Sequence, residues 1–180
     1  MINNLLPIIY LSILILILIL LIYFVAKQVL QKKQIEDEFT LLQQQIKSNT
    51  VTHTDYYNVG VIYLSKKLFD QAILNFSYAL KTWDTNDTEG IANLYNAIGF
   101  TYFGSEQYDL SIYYYKEAIA KSPNYIVALN NLAYAYEKKQ LVQEAIEVYQ
   151  QVISYDSNNK IANEKSNILK RRFKIRDDRI

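Results

Sequence analysis

The chain has 180 residues, with 19 basic against 18 acidic side chains, one histidine and no cysteine. The even charge balance argues against nucleic acid as the main partner; absent cysteine removes disulfides, thiolate metal sites and cysteine nucleophiles, and the single His53 cannot build a histidine metal cluster. Glycine (4) and proline (2) are scarce, which suits one modest domain of helices joined by short turns, plus an anchor.

Residues 1–26 read as a transmembrane anchor. No residue from Leu5 to Ala26 is charged, and Ile13 to Ile22 is unbroken isoleucine and leucine. At about 1.5 Å per helical residue such a run covers the roughly 30 Å hydrocarbon core of a bilayer. Tyr10 and Tyr23 fall near its two ends, where amphipathic rings favour the interface. A cleavable signal peptide is the competing reading, but it calls for a basic start and a small-residue cleavage site. Met1 to Asn4 has no charged side chain and Phe24-Val25-Ala26 is a poor site. Lys27, Lys32 and Lys33 come at once after the apolar run and place the rest of the chain on the cytoplasmic side, or its organellar equivalent.

Residues 27–52 read as a helical stalk with an apolar stripe of Ile35, Phe39, Leu42 and Ile46. Two roles fit: a helix covering the exposed apolar end of the domain behind it, or a short coiled coil, for which the heptads are not sustained. Glu36-Asp37-Glu38 reads as a solvated face.

A pattern then recurs three times. Gly60, Tyr63, Phe69, Ala72, Phe76 and Ala79 have counterparts at the same offsets in Gly99, Tyr102, Tyr108, Ser111, Tyr115 and Ala118, and again in Ala133, Tyr136, Val142, Ala145, Tyr149 and Val152. The last two copies are 34 residues apart. Small residues on a first helix facing small residues on a second let the axes approach, and bulky ones fill the layer between. With that spacing the chain resembles the tetratricopeptide repeat family, in which helix hairpins stack because none buries its apolar face alone. The expected fold is all-α: an α-solenoid of three such hairpins with a capping helix, preceded by one transmembrane helix. The repeats span 53–84, 92–125 and 126–159; five extra residues make 85–91 an inserted loop, and Pro123 closes only the second copy. Residues 160–180 read as the capping helix and a basic tail of Lys170, Arg171, Arg172, Lys174 and Arg176. That tail is either a solvated helix end that complements the dipole or a contact for anionic lipid or an acidic partner.

The resemblance also implies a site. In that family the first helix of each pair lines a concave surface that receives a protein segment, through the second, fifth, ninth and twelfth residues of each copy. Here these are Thr54, Tyr57, Val61 and Leu64; Asn93, Asn96, Phe100 and Phe103; and Val127, Asn130, Tyr134 and Glu137. Such a wall is aromatic and amide-rich, suited to stacking and to hydrogen-bonding an extended backbone. Phe100 and Phe103 equally fit packing between repeats. One subtype of the family grips the C-terminal carboxylate of heat-shock chaperones with cations. The matching positions are Tyr57, Val61, Ala97, Val127 and Asn131, without a lysine or arginine, so that partner is not expected. Tyr113 and Tyr114 are a candidate second patch on the convex side. No glycine-rich phosphate loop is present, and no cofactor, metal or catalytic role is expected.

Abundant tyrosine, isoleucine, asparagine and lysine follow AT-rich codons. Together with the anchor, stalk and three repeats, that usage is similar to small membrane-anchored repeat proteins of plastids and cyanobacteria linked to photosystem I assembly. The resemblance implies a non-catalytic scaffold in the thylakoid membrane with its repeats in the stroma. An import or secretion receptor and a bacterial envelope scaffold share the same layout.

Overall fold

The computed structural model describes the backbone of residues 2–47 and 51–177, and the side chains of 10–30, 33, 40 and 51–172. The described residues form eight helices and no strand. They fall into two units, Met1–Asn49 and Thr50–Ile180.

The first unit is one helix, α1 (Ile2–Lys47). Its segment Tyr10–Leu30 has a mean hydropathy of 2.8 over 21 residues, long and apolar enough to cross a membrane. Every side chain from Tyr10 to Leu30 is exposed. The helix runs without interruption from the expected anchor into the expected stalk. The stripe Ile35, Phe39, Leu42 and Ile46 lies outside the described side chains.

The second unit holds α2 (His53–Ser65), α3 (Phe69–Thr82), α4 (Thr88–Gly104), α5 (Tyr108–Lys121), α6 (Ile126–Lys138), α7 (Val142–Tyr155) and α8 (Lys160–Asp177). Each helix packs on the next in sequence, and α4 also touches α2 and α6, so the first helices of successive hairpins line up beside one another. This one-dimensional stacking is a solenoid.

Close approaches of helix to ring set the hairpins. A Cβ on Gly60 would stand 2.6 Å from the Phe76 ring, and one on Gly99 would stand 2.7 Å from the Tyr115 ring and 3.2 Å from the Ser111 carbonyl oxygen. Phe76, Tyr115 and Tyr149 are accordingly among the largest fully buried side chains, 0%, 1% and 1% exposed. Ala72, Ser111 and Ala145 beside them are fully buried too. The core falls into two clusters, one around Phe76, Leu94 and Ile98, the other running from Ile112 to Leu169.

The turn within each hairpin is built the same way three times. Lys67, Glu106 and Gln140 take positive φ of 58°, 62° and 61°. The N–H groups of Leu68, Gln107 and Leu141 donate to the carbonyls of Tyr63, Tyr102 and Tyr136 at 2.9, 2.9 and 3.0 Å. This bond from five residues on closes a Schellman motif, whose left-handed residue is normally glycine. A side chain there costs roughly 1–2 kcal/mol.

The extra residues between the first two repeats do not form a loop over 85–91. The irregular chain stops at Asp87, and Thr88 to Ile91 are the first turn of α4, which is 17 residues long against 13 for α2 and α6. Asp87 makes this possible: its carboxylate accepts from the Gly90 N–H at 2.8 Å and from the Trp83 indole N–H at 2.9 Å. Those two donors hold the Asp87 carboxyl below the ordinary carboxylate range. Thr52 and Asp55 form a capping box on α2, with the Thr52 N–H donating to Asp55 at 2.8 Å.

Gly99→Leu therefore has to displace the Tyr115 ring and the α5 backbone, and is expected to destabilise the repeats by about 3 kcal/mol with loss of helical circular dichroism. Glu106→Gly removes the left-handed penalty against a larger unfolded-state entropy, and a gain of about 0.5–1 kcal/mol is expected from denaturant titration.

Candidate protein-binding groove

The aligned first helices α2, α4 and α6 present one wall. Along it the ninth residue of each copy stands out into solvent: Val61, Phe100 and Tyr134 are 40%, 49% and 40% exposed. Val127 is also exposed, and Thr54 and Asn93 are exposed polar residues in the corresponding place. The result is an exposed apolar ladder crossing three repeats, with amides beside it.

Other residues expected on the wall are turned into contacts within or between repeats. Phe103 is half-buried, 5.1 Å from the Tyr134 ring and 5.4 Å from the Tyr108 ring. Its neighbour one turn back, Phe100, is free, so the two phenylalanines divide the roles between them. Asn96 is half-buried and its carbonyl oxygen accepts from the Asn131 amide at 3.0 Å, while its own amide donates to the Tyr125 hydroxyl at 3.4 Å. Asn96 thus ties α4 to α6. Tyr57 is half-buried, 5.7 Å from Phe76 and 5.9 Å from Trp83, and burial raises the pKa of its phenol. Leu64 is half-buried with the first core cluster.

Asn130 is different. Its side-chain carbonyl oxygen is buried without a hydrogen-bond partner among the described residues. A buried acceptor left without a partner costs about 1–3 kcal/mol.

Glu137 is not a free groove carboxylate. Its side chain is 17% exposed, and it accepts from the Tyr149 hydroxyl at 2.6 Å and from Lys165 Nζ at 3.4 Å. Burial first, then the Glu137 carboxylate, pushes the Tyr149 phenol well above its ordinary value. Lys138 and Lys165 both lie over the Tyr134 ring, 5.3 and 5.4 Å from its centre. Sequence reasoning missed Tyr125 and Lys165, whose partners lie about one repeat earlier in the chain, and Lys138, which lies over Tyr134 one turn back on α6.

Of the proposed second patch, Tyr113 is 54% exposed, but Tyr114 is half-buried. Tyr114 stacks on Tyr102 at 5.4 Å and meets Tyr113 edge-on at 5.1 Å; burial first, then the neighbouring phenols, raises its pKa. The two adjacent tyrosines do not form one exposed pair, since a helix turns their side chains about 100° apart. Lys170, Arg171 and Arg172 are exposed on α8, and Lys174 and Arg176 lie outside the described side chains.

A tetratricopeptide repeat family model matches residues 102–163. The chain is 45% identical to the ycf37 protein of Guillardia theta over 98% of both chains. It belongs to the ycf37 family of tetratricopeptide repeat proteins. It is 33% identical to the tetratricopeptide repeat domain-containing protein PYG7, chloroplastic, of Arabidopsis thaliana, over 85% of this chain and 50% of that one. Among solved structures, that of MamA superposes with a TM-score of 0.68 over 82% of this chain and 83% of MamA, at 22% identity, which establishes the same fold. An array of this family is a protein-interaction scaffold.

Within this ycf37 array, Tyr149→Phe removes the hydroxyl that holds Glu137. A charge-assisted hydrogen bond is worth about 1.5–3 kcal/mol, and a loss of that size is expected in the denaturant midpoint.

Proposed function

We propose that this chain is a membrane-anchored, non-catalytic scaffold that holds protein partners while a membrane complex, photosystem I, is assembled or stabilised. The observation that carries this reading is the exposed ladder of Val61, Phe100 and Tyr134, an apolar surface that crosses three repeats. The exposed Asn93 and the half-buried Asn130 beside it suit hydrogen bonding to an extended backbone as the occupant.

The anchor is the Tyr10–Leu30 segment of α1, and the lysines Lys27, Lys32 and Lys33 set its orientation, with the repeats on the stromal side of the thylakoid membrane. The likeness to a chloroplastic protein of Arabidopsis thaliana supports a plastid location. The partner is a subunit of the complex or an assembly intermediate, and the bilayer is contacted through residues 5–26. The groove has no basic clamp at Tyr57, Val61, Ala97, Val127 and Asn131, so the partner is not a heat-shock-chaperone terminus.

The test is purification of the full chain from its native membrane in mild detergent, with identification of the proteins that stay bound. Photosystem I subunits are the expected result; translocation components or precursor proteins in their place would overturn the assembly role. Phe100→Ala and Asn130→Ala are each expected to weaken the capture about tenfold, roughly 1.4 kcal/mol, with circular dichroism unchanged.

A further inference from the structure

The last helix does more than close the stack. Its inner side, Ala162, Ser166 and Leu169, is buried at 0%, 2% and 5% exposure, against α7. A cap is expected to be polar on its remaining faces, yet Ile161 and Ile168 are 60% and 37% exposed. They stand 34 residues after Val127 and Tyr134. Helix α8 therefore repeats the register of a first helix and carries the two groove residues of a fourth copy. The Lys165 contacts to Glu137 at 3.4 Å and over Tyr134 at 5.4 Å place α8 directly beside α6 on this wall.

The charge around this end of the groove is predominantly positive. Lys138, Lys170, Arg171 and Arg172 are exposed, and Lys165 is half-buried. Among the described residues the carboxylates here are Glu137, already engaged by Tyr149 and Lys165, and Glu164, exposed on α8. The apolar strip of Val127, Tyr134, Ile161 and Ile168 is thus bordered by an excess of cations.

We propose that the groove continues onto α8 and that this end receives an acidic amphipathic segment of a protein partner, its apolar side chains on Val127, Tyr134, Ile161 and Ile168 and its carboxylates towards Lys138, Arg171 and Arg172. The inference rests on the groove reading above and adds the partner's chemistry. It also changes the role of the basic tail: Arg171 and Arg172 border the groove, where they select by charge and speed encounter.

The experiment is fluorescence anisotropy on the full chain in detergent micelles, with a labelled peptide alternating leucine and glutamate and a second one carrying glutamine for glutamate. The acidic peptide is expected to bind about tenfold more tightly, with the difference shrinking as salt is raised. Ile161→Asn with Ile168→Asn is expected to weaken it about tenfold, and Lys138→Gln with Arg172→Gln to remove the preference over the glutamine peptide. Equal binding of both peptides overturns the acidic specificity. Full affinity in the Ile161 and Ile168 variant, with a loss in Phe100→Ala, overturns the extension onto α8 while leaving the groove. Full affinity in all three variants overturns the groove reading itself. Binding to vesicles of anionic lipid that abolishes peptide binding assigns the cations to the membrane and overturns the proposal.

Discussion

Everything in the repeat unit depends on how closely two helices of a hairpin approach. That distance is set by one small residue on the first helix meeting one aromatic ring on the second: Gly60 under Phe76, Gly99 under Tyr115, with Ala133 and Tyr149 as the third pair in the same register. The approach buries the ring completely and leaves the opposite side of the first helix free. Because the same contact recurs at each copy, those free sides align, and the groove follows from the packing beneath it. In a wider hairpin the first helices would no longer share one wall.

The hairpins were legible in the sequence because their contacts lie a fixed number of residues apart within one copy. Gly99 and Tyr115 are separated by a turn and a few helical steps, and composition at those offsets is nearly sufficient to find them. The contacts between repeats were not legible in the same way. Asn96 reads as a groove amide and Asn131 as a clamp position without its cation, and only their placement on neighbouring first helices makes them a pair. The same holds for Glu137, which looks like a groove carboxylate until Tyr149 and Lys165 close on it. The split between Phe100 and Phe103 is set by a rotation of less than one turn about the α4 axis, finer than periodicity resolves.

Two local features broke sequence rules for a physical reason. The polar run after Thr82 looked like a loop, since Asp, Asn, Thr and Gly favour turns. The same residue types favour helix N-termini, and Asp87 uses its carboxylate to start α4 early. The hairpin turns place lysine, glutamate and glutamine where glycine is expected. There the Schellman hydrogen bonds and the buried rings on either side impose the backbone, and the residue accommodates it.

The order of helix contacts has a consequence for how the molecule is made. Helices of the repeat unit touch neighbours in the chain and little beyond, so every stabilising contact closes over a short stretch of sequence. Such topologies fold quickly, since little chain entropy is lost before a contact forms. A hairpin has all of its own partners as soon as its second helix leaves the ribosome, and each later pair finds a finished surface to build on. Synthesis from the N-terminus therefore assembles the array in its native order, without waiting for the end of the chain.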